Sequence, residues 1–267
     1  MPDISHHRGP PPATDPATLR PAAVRRHDLL AAITAGAAQF RAQPLLSAGF
    51  AAVFTVLGSL MFILLEAAGI APVSLSLAGG FMLVGPALLA GFFALSDRLR
   101  HNEKATLGDI ARGFRRMPRG GWVMSFVCAL IFLIWITDAG ILYGFMVGRE
   151  PVGFMRLLRF EETVAGYVFY SAIMGAVLAF ILFAVSAFSI PLLYDRRAHL
   201  VPAVVASVRA VFGRFGVVLS WAVLLAAVIM VSALLLPLLL ITLPVMAYAS
   251  REFYLRVYPP NTPPPPR

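Results

Sequence analysis

The feature that most constrains this chain is the separation of its positive charge from its apolar residues. Of 22 Lys and Arg residues, 19 fall in four segments between or beside long apolar stretches. The segment before the first stretch holds Arg8, Arg20, Arg25, Arg26 and Arg41. Residues 96–121 hold Arg98, Arg100, Lys104, Arg112, Arg115, Arg116 and Arg119. Residues 194–214 add Arg196, Arg197, Arg209 and Arg214, and the C-terminal tail adds Arg251, Arg256 and Arg267. Long apolar runs punctuated by arginines belong to a polytopic, all-α membrane protein, because a helix satisfies its own backbone in lipid and needs roughly 20 residues to cross it.

Composition excludes the soluble alternatives. The chain is 59% hydrophobic and 13% charged, where a soluble domain carries about 25% charge. A net charge of +9 raises the question of nucleic acid, but arginines beside spans follow from membrane insertion alone. No nucleic-acid partner is implied. The single cysteine, Cys128, lies in an apolar run and reads as packing.

Residues 1–28 are polar and Pro-rich, with no apolar stretch of signal type, and predict a disordered cytoplasmic tail. Residues 29–258 form the membrane domain and 259–267 a Pro-rich tail. Within the domain, apolar runs at about 45–67, 75–95, 122–147 and 164–193 each fit one crossing. The interval 215–250 is too long for one straight crossing at 1.5 Å per residue, and Pro237 and Pro244 interrupt its helical ladder. It reads as two short helices, about 215–233 and 236–250, meeting near Leu235, with a broken or re-entrant helix as the alternative.

The same arginines set the orientation. Only Arg149, Arg156 and Arg159 remain for the far side, where Glu150, Glu161 and Glu162 balance them. Six spans with both termini in the cytoplasm of a bacterial inner membrane satisfy this distribution best. Five spans would place the last arginines outside.

The exits of the even-numbered spans repeat a pattern. The second span ends Gly85-Pro86-Ala87-Leu88-Leu89 and reaches Asp97-Arg98; the fourth ends Ile190-Pro191-Leu192-Leu193-Tyr194-Asp195-Arg196. The sixth ends Leu243-Pro244-Val245-Met246 and reaches Ser250-Arg251-Glu252. After the first two exits come amphipathic stretches carrying Leu107, Ile110 and Phe114, then Val205, Val208 and Phe212, with arginines between. That spacing predicts helices lying in the headgroup layer. The architecture expected is three membrane hairpins with interfacial amphipathic helices, and residues 26–43 supply a matching helix before the first hairpin. The partners implied are the bilayer itself and its anionic headgroups at 96–121 and 194–214.

Phe81 through Phe93, with Gln43-Pro44 before the first span and Trp135 through Tyr143 in the third, resembles a bacterial integral membrane family of unknown function, some members of which are labelled putative cytochrome c oxidase subunits. The resemblance spans roughly residues 35–258 and implies six helices and no catalytic residues. A haem–copper centre would need several intramembrane histidines, whereas His6, His7, His27, His101 and His199 all lie in tails or loops. No haem, copper, metal or other cofactor is expected.

Asp138 is the mid-membrane charge, and an unpaired carboxylate there costs on the order of 2.5–3.5 kcal/mol. It reads either as a proton or cation relay or as a structural hydrogen bond between spans, with Thr137 and Tyr143 as polar neighbours. Gly85, Pro86, Pro191 and Pro244 are the other candidate functional positions, as breaks at the span exits. Gly140, Gly144 and Gly148 recur every four residues, which predicts a close helix-packing face, within the monomer or in a dimer. No enzyme is indicated, since Ser, His and carboxylate groups nowhere gather on one side. The function expected is a non-enzymatic scaffold or accessory protein of a membrane complex, a respiratory one included. The alternative is a transporter or channel with Asp138 in a polar path.

Overall fold

A computed structural model describes residues 19–70, 73, 88–148 and 162–260; these are almost wholly helical, with no β-strand among them. The helices are α1 (Arg26–Ala42), α2 (Pro44–Ala67), α3 (residues 88–99), α4 (Leu107–Arg116) and α5 (Arg119–Met146). They continue with α6 (Glu162–Ser186), α7 (Ser189–Tyr194), α8 (Leu200–Gly213), α9 (Phe215–Leu234) and α10 (Leu239–Val257). Among the described residues, five helices are long and apolar enough to cross a membrane: α2, α5, α6 with α7, α9, and α10 with the turn before it. Most of the expected second span, with Gly85 and Pro86, lies outside the described residues; α3 is its final part.

The two breaks follow from proline chemistry. Pro191 is the third residue of α7 and has no N–H to return to Ala187, so the ladder loses a rung where α6 gives way to α7. The buried hydroxyl of Ser207 is inserted into an earlier rung, between Ala184 and Phe188. Its Oγ donates to the Ala184 carbonyl at 2.8 Å and accepts the Phe188 N–H at 3.2 Å. The second break is a 3-10 turn at Leu236–Leu238, with Pro237 in its first turn. Across it the Ser232 and Thr242 hydroxyls meet at 2.8 Å, and further out the Trp221 and Phe253 rings lie 5.1 Å apart. Nested pairs of this kind require a hairpin, so the expected pair of short helices is what forms, and no single bent helix runs through.

The centre of the bundle is α10. Half of its most apolar window is buried inside the protein, against 11% for α2 and 17% for α5. The apolar outer faces of α2 and α5 (Val56, Ile63, Leu133, Phe145) remain exposed, as helices in contact with lipid require. α1 lies along α10 because Gly36 lets the two backbones approach: a Cβ there would sit 2.6 Å from the Val245 carbonyl oxygen. Ser47 on α2 meets the buried Tyr248 hydroxyl of α10 at 2.7 Å.

Two expectations need correction. The disordered tail does not extend to residue 28: Leu19 and Val24 are buried in the core, and the Ala22 N–H donates to the Val257 carbonyl at 2.8 Å. Two apolar residues in a polar, Pro-rich stretch suffice to dock it. Helix α4 does not rest its whole apolar face on the bilayer either. Ile110 is buried and Phe114 packs with Phe50, their rings 6.4 Å apart, while Leu107 alone of the three is exposed. Gly113 makes this possible by abutting the Ala90 carbonyl of α3. On α8, Val205 and Phe212 of the expected outward face are exposed, while Val208 is half-buried.

α4 starts at a capping box. The Thr106 N–H and Oγ1 both reach Asp109 Oδ2, at 2.8 and 2.7 Å, while Arg112 lies 2.8 Å from Oδ1. Burial raises the Asp109 pKa, but the Thr106 bonds and the charges of Arg112 and Arg98 outweigh it and hold the carboxyl below its ordinary value. A depressed folded pKa contributes stability that is present above the unfolded value, about 3.9, and lost as pH falls through the folded one. Hydrogen exchange at Leu107–Arg116 is therefore expected to match at pH 7 and pH 5 after correction for intrinsic rates, and to accelerate below about pH 4. Equal corrected protection down to pH 2 would remove Asp109 as the anchor.

Candidate functional site: an arginine between two aspartates

The three span exits that repeat in sequence converge in space. Asp97 leaves α3, Asp195 follows α7, and Arg251 projects from α10 between them. Arg251 Nη1 and Nη2 make a two-pronged contact with Asp195, at 3.0 and 2.7 Å, and Nε and Nη2 reach Asp97 Oδ1 at 3.2 and 3.0 Å. Arg251 is 4% exposed. A planar guanidinium suits this position because its fork matches carboxylate geometry and its faces stack on rings. Phe93, Tyr194 and Tyr254 supply those rings, each centred 5.3–5.4 Å from the guanidinium carbon.

One arginine cannot neutralise two carboxylates, and the surroundings supply the remainder. Tyr254 Oη donates to Asp195 Oδ2 at 2.9 Å and receives a bond from Arg197 Nη1 at 3.3 Å. Arg197 also donates to the Tyr258 and Pro259 carbonyls, at 2.6 and 2.9 Å. The local reason is the end of α7, where Arg196 adopts a left-handed φ of 54° and the Arg197 N–H closes back on the Leu192 carbonyl at 3.0 Å. That turn presents Asp195 and Arg197 together to α10. Burial pushes the Tyr258 phenol up to about 12, so it stays a neutral donor, to the Ala206 carbonyl at 2.8 Å.

A second set of bonds runs beside the first. Glu252 Oε1 accepts from Arg100 at 2.8 Å and from Gln39 at 2.9 Å, and Gln39 in turn accepts from Ser96 Oγ at 2.7 Å. Ser96 and Asp97 are adjacent on α3, and Arg251 and Glu252 on α10, so the two helices are joined by consecutive rungs. Each charged group in the junction is engaged by another protein group. Chemically this is a clamp, with no nucleophile held against a base. Among the described residues no three metal-ligating side chains come together.

The candidates read from sequence separate into different places. Pro191 and Pro244 are buried, in α7 and α10; the expected break at Pro244 does not form, because α10 runs from Leu239 to Val257 through it. Asp138 is half-buried on α5, away from the junction, and no described residue hydrogen-bonds its carboxylate. Thr137 donates instead to the Leu133 carbonyl of its own helix at 2.8 Å, and Tyr143 to the Gly69 carbonyl at 3.4 Å. Gly140, Gly144 and Gly148 are exposed, and a Cβ on any of them meets nothing within 4 Å. Among the described residues, none packs against these three positions. α5 instead packs through Trp135, whose ring abuts Gly175 of α6.

A cavity of about 160 Å³, partly open to the outside, lies beside the clamp along α3, α9 and α10. Its walls include Leu89, Phe92, Phe93, Trp221, Leu225 and Met246.

No curated protein and no solved structure matches this chain. The family model DUF2189, described as a predicted integral membrane protein, matches residues 73–195, which run from before α3 through α7 to Asp195 of the clamp. Over residues 73–195 the chain is thus similar to DUF2189, a family of predicted integral membrane proteins, and among its described residues five apolar helices are long enough to cross a bilayer.

Proposed function

We propose that the protein is a non-enzymatic scaffold or accessory protein of a membrane complex, a respiratory complex among the candidates. It sits multi-pass in a bacterial inner membrane with both termini cytoplasmic. The observation that carries this reading is the closure of the polar junction: Asp97, Asp195, Arg251, Arg197, Glu252 and Arg100 are engaged by one another and by nearby tyrosine and carbonyl groups. A transporter needs a chain of polar stations with spare capacity at mid-depth. Asp138 offers one such group, half-buried and without a following station among the described residues.

The orientation rests on the same junction, which gathers the ends of α3, α7 and α10 with their arginines. A reporter fused after residue 260 is expected to report the cytoplasm, and a periplasmic signal there would overturn the topology. Arg115, Arg116 and Arg119 beside α4 and Arg209 and Arg214 beside α8 are exposed and suit anionic headgroups, at about 1 kcal/mol per residue near the surface.

The role is tested in two parallel measurements. Cross-linking in native membranes is expected to join the exposed face of α5 to a membrane-protein partner in fixed stoichiometry. Proteoliposomes of the purified chain should carry no proton or cation flux above protein-free vesicles. A flux abolished by Asp138→Asn with unchanged thermal stability would overturn the scaffold reading in favour of a transporter.

A further inference from the structure

We propose that the cavity between α3, α7, α9 and α10 is a binding site for a single hydrocarbon chain. Three observations carry it. The walls are mostly apolar: besides aromatic and aliphatic groups they offer the indole N–H of Trp221 and the hydroxyls of Ser186 and Ser250, and Ser250 Oγ is already donated to the Met246 carbonyl of its own helix at 2.8 Å. Water in a buried site needs two to four polar partners, so this space does not hold it well. The size fits one slender apolar body, since an engineered void of about 150 Å³ with similar walls accepts benzene. The surroundings restrict the source: α6, α9 and α10 are membrane-length helices, and the solvent on their outer faces is hydrocarbon.

The site also touches the clamp. Phe93 lines the cavity with one part of its ring while the Arg251 guanidinium lies 5.3 Å from the ring centroid. Ser250 and Phe253, which flank Arg251 in the chain, are wall residues too. A chain in the cavity therefore fixes the Phe93 ring and steadies the aromatic box that holds Arg251. The ligand class is an aliphatic chain, and it has two sources: an acyl chain of a bilayer phospholipid, or a free long-chain fatty acid.

The experiment uses the full chain in mild detergent with two photoactivatable probes, palmitic acid and phosphatidylglycerol, each carrying a diazirine on the acyl chain. Labelling of peptides containing Leu225 or Met246 is expected to saturate and to be competed by the same unlabelled compound. Filling the cavity by Leu225→Trp should lower that labelling about tenfold, a change of the size that separates a specific from a blocked site. Val223→Trp, on the exposed face of the same helix, should leave it unchanged and controls for folding. Saturable labelling by the phospholipid alone identifies a bilayer lipid, by the fatty acid alone a free acid, and by both a site that reads only the chain; each supports the proposal. Should Leu225→Trp unfold the protein, Ile229→Phe fills the same space with a smaller change. Labelling that never saturates, or that is equal in both filled variants and the parent, overturns it.

Discussion

Replacing Arg251 with Met is expected to lower stability by about 3–5 kcal/mol, the range for removing one partner of a buried ion pair. The loss comes from what is left behind. Asp97 and Asp195 would face each other and three aromatic rings without a cation, their side chains 26% and 16% exposed. Arg251→Lys should recover part of the loss, because an ammonium supplies charge but cannot fork onto both carboxylates or stack on Phe93. Adding Asp97→Asn and Asp195→Asn to Arg251→Met should recover more than Lys does, since no uncompensated charge then remains buried. Thermal unfolding in detergent measures all three variants against the parent. If the triple variant proved less stable than Arg251→Met alone, the aspartates would be stabilising without the arginine, and the clamp would be misassigned.

Gly36→Leu should be the second large effect, about 3 kcal/mol of destabilisation, at the upper end for overpacking a close contact. The neighbours of the new side chain are backbone atoms that cannot rotate away: the Val245 oxygen at 2.6 Å and the Ala249 nitrogen at 2.7 Å from the Cβ position. α1 would have to lift from α10, and the bond from Gln39 to Glu252 would lengthen with it. Gly140→Leu offers the contrast. Its Cβ meets open space, so monomer stability should change by less than about 0.5 kcal/mol. Unfolding of the two variants side by side separates the glycine that packs from the glycine that does not. A large loss at Gly140 would mean that the exposed α5 stripe is covered by something, such as a second copy, in the purified protein.

These contrasts show what the sequence could and could not convey. The spans were legible because twenty apolar residues in a row have one physical meaning, and the break near Leu235 because two prolines seven residues apart cannot both sit in one undisturbed ladder. The stripe at Gly140, Gly144 and Gly148 was legible as a stripe. Periodicity defines a face of a helix without saying what lies opposite, and the partner of α6 on α5 proved to be Trp135. The clamp was half-visible: the exits carrying Asp97, Asp195 and Arg251 aligned as a repeat, and opposite charges at matching positions of a repeat are a signal that they meet. Its supporting shell was not visible, because Tyr254, Arg197 and Gln39 reach the junction through turns and helix approaches that no local pattern encodes. α4 shows the same limit, since Ile110 and Phe114 have the spacing of a bilayer-facing helix and dock on Phe50 and Phe92 instead.

The order in which the chain is made gives the clamp another meaning. Arg251 follows Asp195 by 56 residues and Asp97 by 154. At about 5–20 residues per second, Asp97 emerges roughly 8–30 seconds and Asp195 roughly 3–11 seconds ahead of Arg251, and over those intervals each lacks the arginine that binds it in the finished protein. The helix that ends the wait is also the one that accepts α1, the Leu19–Val24 segment and α2. A ribosome stalled before Arg251 therefore leaves α1, α2 and the Leu19–Val24 segment without the helix they pack on, and Asp97 and Asp195 without the arginine between them.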